Sequence, residues 1–127
     1  MRLKIGNIKT MNKNYTEIFY EFIDNDSIIN DLPRDEYHSL FMAIILRALL
    51  DVTKPKNIKE TNRIKVDRRS AKAWFFATSG VTCENFETIC DGAGIQPMVM
   101  RSITKQILNK KDIKNVRKRI NSFFTNE

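Results

Sequence analysis

The residues in this chain able to do chemistry are mostly cations: 22 Lys and Arg against 15 Asp and Glu, with a single His. They gather in three places. Arg63, Lys65, Arg68, Arg69 and Lys72 form one cluster, Arg101 and Lys105 flank Ser102, and Lys114, Arg117, Lys118 and Arg119 lie near the end. Such clusters bind anions. Nucleic acid rewards them most, because Lys and Arg displace the counterions condensed on its phosphates. The plain alternative is a solvated basic surface that aids solubility. The distribution favours an anionic partner. Residues 1–53 carry 6 Lys and Arg against 8 Asp and Glu, a net of −2, and residues 54–127 carry 16 against 7, a net of +9.

Other chemistries find little support. His38 stands alone and reads as structural. Glu84 with Glu87, and Asp24 with Asp26, are carboxylate pairs of a kind common on solvated faces. There is no glycine-rich phosphate loop, so neither an enzyme nor a small-molecule substrate is expected. Cys83 and Cys90 lie seven apart without zinc spacing, and Cys90 falls on an apolar stripe, where a buried thiol is expected. No metal or cofactor is implied. A reducing, cytoplasmic setting fits, with no visible signal peptide. The longest apolar run, residues 40–50, contains Arg47. It falls well short of the roughly 20 residues a membrane span needs, so it reads as a core helix and no membrane partner is expected.

The elements that must position the cations read as helices. Gly and Pro are scarce, at 4 and 3, and hydrophobic residues make up 42%. Residues 1–13 form a basic arm, expected to be partly disordered. From Asn14, the residues Tyr15, Ile18, Phe19, Phe22 and Ile23 recur at helical spacing. A second helix follows Pro33, with Asp35 and Glu36 in its first turn. Tyr37, Leu40, Phe41, Ile44, Ile45, Ala48 and Leu49 form its apolar band, which Met42, Leu46 and Leu50 broaden almost all round. A helix of that kind is the spine of the fold, over residues 35–52.

Residues 53–57 form a linker around Pro55. The next helix starts at Ile58 or Glu60, runs to about Ala77, and changes from basic to aromatic at Trp74, Phe75 and Phe76. Those aromatics read as core; stacking on bases is the weaker alternative. Gly80 is expected to close this helix in a left-handed cap and Thr82 to open the following one. Near the end, Ile113, Val116, Ile120 and Phe123 form a last amphipathic helix. That helix either completes the core, pairs with a second copy, or lies along phosphate.

The most organised stretch is residues 85–107. Phe86, Ile89, Cys90 and Ala93 occupy one stripe, Gly94 suits a turn with positive φ, and Ile95 plugs the angle between two helices. Gln96 takes the cap position and Pro97 the first helical one, with Met100, Ile103 and Ile107 facing back. This arrangement resembles the helix-turn-helix of repressors, particularly the lac repressor type, over about 20 residues. Phe86, Ile89, Cys90, Ala93, Gly94, Ile95, Met100 and Ile103 match that family's structural positions. The wider pattern is similar to small phage and prophage proteins. They pair an apolar helix ending in LLD (here Leu49, Leu50 and Asp51) with a tryptophan helix and an F-x-x-[IV]-C-x-x-A-G-[IL]-x-P segment.

The resemblance implies that the second helix faces the major groove of double-stranded DNA, presenting Gln96, Met98, Arg101, Ser102 and Lys105. Arg101 would read guanine or hold phosphate, and Lys105 would meet phosphate. Pro97 and Met98 stand where such repressors place polar base readers. Arg68, Arg69, Lys72 and Arg117 are the expected supporting phosphate contacts. The resulting expectation is an all-α domain of five or six helices over residues 14–127, with a helix-turn-helix at about 83–110. Its expected role is that of a phage-type DNA-binding regulator or packaging accessory, with homodimerisation through the last helix. The alternative is a protein–protein interaction module in phage assembly or host takeover.

Overall fold

A helix that is apolar on most sides has to be surrounded, and α1 (Tyr37–Val52) is. Around it in chain order stand α2 (Asn62–Phe76), α3 (Gly80–Ala93), α4 (Pro97–Asn109) and α5 (Ile113–Thr125). The computed structural model describes residues 17–21, 23, 37–57, 59–109 and 113–125, and every regular element among them is helical. The fold is therefore all-α. α1 packs most extensively on α3, then on α2, and also meets α5. The helical residues 17–21 and 23 bury Ile18, Phe19 and Ile23. The expected basic arm, the Asn14 helix start and the Pro33 helix start lie outside the described residues. Among the described residues, no helix is long and apolar enough to cross a membrane.

The core takes Met42, Ile45, Leu46 and Leu49 from α1, Phe75 from α2, Phe86 and Cys90 from α3, and Met100, Ile103 and Ile107 from α4. Burying each of the larger side chains contributes about 1.5–3 kcal/mol, so this cluster is the main favourable term in folding. Trp74, Phe75 and Phe86 meet edge to face, with ring centroids 5.0–5.8 Å apart. The Trp74 indole Nε1 donates to Asn85 Oδ1 at 2.8 Å, which satisfies its one donor. These aromatics are core rather than a platform for bases.

Several boundaries and faces differ from the sequence reading. On α1, Leu40 and Ile44 turn outward at 53% and 37% exposure, whereas Met42, Leu46 and Leu50 turn in. Apolar residues occupy nearly every position of α1. Periodicity therefore does not single out one face, and packing against α2 and α3 selects it. α2 starts later than expected. Thr61 is its N-cap, with Thr61 Oγ1 accepting from the Ile64 amide at 3.3 Å.

The junction after α2 also differs. α2 ends at Phe76 with Ala77 in an extended conformation. Gly80 has a positive φ of 87°, but it is the first residue of α3 rather than the cap of α2. Thr82 lies inside α3, whose N-cap is Ser79.

Candidate nucleic-acid interface

α3 and α4 are joined by three residues, Gly94, Ile95 and Gln96. Gly94 sits at φ 80°, ψ 25°, the left-handed region a residue with Cβ avoids. Its amide bonds back to Asp91 O and the Ile95 amide to Cys90 O, which closes α3. Ile95 is fully buried between the two helices, beside Ala93. Pro97 opens α4, and Gln96 O accepts from the Met100 amide at 3.0 Å. Val99, Met100, Ile103, Thr104 and Ile107 face the core.

The outward face of α4 carries Met98, 75% exposed, and Lys105, which is also exposed. Gln96 in the turn is exposed. Ser102 is half-buried and its Oγ donates to Met98 O at 3.1 Å, a helix-internal bond. Arg101 was expected outside and is turned inward. Its Nε donates to Phe75 O at 2.9 Å and its Nη2 to Ala77 O at 3.1 Å, with Cys83 Sγ at 3.5 Å. The guanidinium lies over the Phe86 ring, 4.7 Å from the centroid. The last turn of α2 leaves carbonyls without helical partners, and with Ala77 extended no left-handed glycine closes that end. Arg101 supplies the missing donors.

Two other expected phosphate contacts have the same fate. Arg117 Nη1 donates to Leu50 O at 2.6 Å and to Thr53 Oγ1 at 2.9 Å, tying α5 to the end of α1. Arg68 Nη1 donates to Lys54 O at 3.3 Å and its Nη2 pairs with Glu60 at 2.6 Å. That side-chain hydrogen bond holds the Glu60 carboxyl below its ordinary value of 4.5. Arg69 and Lys72, by contrast, are exposed on α2.

Around these anchored arginines opens a cleft of about 1510 Å³ between the α1–α2 connection, α2, the end of α4 and α5. Lys54 and Lys56 line it from the connection, and Arg68 and Lys72 from α2. Lys114, Arg117 and Lys118 line it from α5. Among the described residues, no Asp or Glu lines it. The spacing explains the local convergence, since Arg68 with Lys72 and Lys114 with Lys118 are i, i+4 pairs, each on one helix face. Lys54 is neutralised by Asp51 at 3.4 Å and Asp67 at 3.3 Å. Lys56, Lys72, Lys114 and Lys118 make no ion pair with any described residue. Asn109, one turn beyond Lys105 on α4, also lines the cleft, so the Lys105 stripe leads to its rim.

Sequence reasoning passed over Lys54 and Lys56, reading residues 53–57 as a linker alone. Their signal was the pair of lysines flanking Pro55. Lys114 and Lys118 stood out only as part of a basic face. α5 buries Val116 and Ile120 within this chain, with Ile113 and Phe123 half-buried, so its apolar stripe packs on the core. Cys90 is fully buried, and burial pushes its thiol from 9.0 up to about 12. No family model, curated protein or solved structure matches the chain.

Proposed function

We propose that this protein binds DNA through the phosphate backbone. The observation that carries this reading is the cleft into which two helices and a loop bring Lys and Arg, with no carboxylate among its described lining residues. Four of its lysines have no counter-charge among the described residues, and a polyanion supplies it. The left-handed Gly94 turn and the buried stripe of α3 support a helix-turn-helix reading of the α3–α4 pair, in which α4 would lie alongside with Met98, Ser102 and Lys105. Because Arg101 is committed to Phe75 and Ala77, base reading by α4 is weak. Among roles of a small phage-type protein, a packaging or DNA-organising accessory fits this better than an operator-reading regulator.

The exposure of Met98 favours one second reading, a protein partner with an acidic and apolar surface. Salt-titrated binding to a fluorescent duplex of about 30 base pairs separates the two. The expected outcome is binding at low salt that falls steeply with added salt. Replacing Lys56, Lys72, Lys114 and Lys118 together by Ala should flatten that fall by up to about 0.9 log units per lost phosphate contact. Absence of any binding at low salt would move the assignment to the protein partner.

A further inference from the structure

We infer that the cleft seats one phosphate ridge of an intact DNA double helix and is blind to base sequence, discriminating against single strands. This rests on the DNA reading above and adds the form of the ligand and the mode of contact.

Size comes first. At about 1510 Å³ the cleft exceeds the roughly 300–1,000 Å³ typical of small-molecule pockets. Its lysines without an ion pair among the described residues are distributed over three segments: Lys56 on the connection, Lys72 on α2, and Lys114 and Lys118 on α5. A single nucleotide concentrates its charge on adjacent phosphates and needs donors converging on one point. Cations spread along a groove match phosphates spread along a backbone.

The chemistry of the lining decides the form of the polymer. Proteins that hold single strands stack successive bases on aromatic side chains. Among the described residues, no Phe, Tyr or Trp lines this cleft. The aromatic residues of α2 are taken up by the core, with Trp74 and Phe75 packed edge to face against Phe86. A guanidinium plane is the other side chain that stacks on a base or reads guanine with two parallel bonds. Both arginines of the lining are held, Arg68 by Glu60 and Arg117 by Leu50 O and Thr53. What the described residues leave unpaired is lysine, a point charge on a flexible stem, which binds phosphate oxygens with little demand on geometry. Asn109 and Asn121 add neutral donors suited to the same oxygens. A duplex also presents one charge per about 1.7 Å of axis, twice the density of one of its strands, so each lysine releases more counterion there.

The test uses the full chain and competition against a labelled mixed-sequence duplex of about 30 base pairs at fixed salt. Unlabelled competitors are A·T-only and G·C-only duplexes, single strands of the same length with and without thymine runs, and duplex RNA. The expected result is duplex DNAs equal within about threefold and single strands weaker by about tenfold or more. Lys72→Gln with Lys118→Gln should lower duplex affinity and the salt slope while leaving the circular dichroism of the fold unchanged. Single strands binding as tightly as duplex would overturn the inference and leave the DNA reading standing. So would a preference above about tenfold between the two duplex compositions, or tighter binding of duplex RNA. Unchanged duplex affinity in the double Gln variant would place the contact elsewhere. Failure of every nucleic acid to bind at low salt removes the DNA reading and the inference together.

Discussion

Three arginines that look like phosphate contacts in the sequence are fasteners in the fold. Arg68, Arg101 and Arg117 each reach a backbone carbonyl at or just beyond the end of a helix, at Lys54, Phe75 with Ala77, and Leu50. The last carbonyls of a helix lack partners and carry partial negative charge, so a cation that donates several bonds suits them. In sequence, an Arg in a basic run is the same residue whether it faces solvent or a carbonyl many positions away. Arg101→Ala should therefore act on stability first. Bonds to a charged donor are worth about 1.5–3 kcal/mol each, so a clear fall in the urea midpoint is expected. The DNA affinity of the folded protein should stay within about twofold. Urea titration and salt-matched binding of the same variant check both halves.

Among the elements, the α3–turn–α4 unit is the one whose determinants are local. Gly94 in the left-handed region, Ile95 under the turn and Pro97 at the first helical position are all within a few residues of each other. They were legible for that reason. The face of α1 was not, because its residues are apolar nearly all round and only α2 and α3 distinguish one side from another. One contact shows how that choice is made. The Phe41 ring of α1 lies where a Cβ on Gly92 of α3 would stand. Gly92→Ala would gain helix propensity of about 1 kcal/mol. The collision with the rigid ring outweighs it, since overpacking costs about 1–3 kcal/mol. A net loss of stability is expected, read by thermal or denaturant unfolding. Shrinking the partner by Phe41→Leu in the same chain should recover part of it.

At the scale of the whole molecule, the cleft joins residues from the α1–α2 connection to the final helix, more than sixty positions away, as in the bond from Arg117 to Leu50. Burial at this scale also sets a pH limit. The Cys90 thiol is raised from 9.0 to about 12 because the packed interior disfavours thiolate. For a raised acid, the stabilising contribution is complete below the unfolded value and is lost as pH rises through the folded one. Stability should therefore decline between about pH 9 and pH 12. Cys90→Ala or Cys90→Ser removes the group, and its stability should fall less over that window, as followed by denaturant unfolding at stepped pH. A wild-type and variant profile of equal slope would contradict it.

By itself the sequence determined the helical class, the turn at residues 94–96, the stripe of Phe86, Ile89, Cys90 and Ala93, and the basic character of the C-terminal half. Each of these depends on residue types within a turn or two of one another, or on composition. Only the tertiary structure decided which side of α1 is buried, which arginines are spent on helix ends, and that Lys56, Lys72, Lys114 and Lys118 share one cleft. Those outcomes depend on which distant segments meet. A cation's partner is chosen by the fold that surrounds it, not by the neighbours it has along the chain.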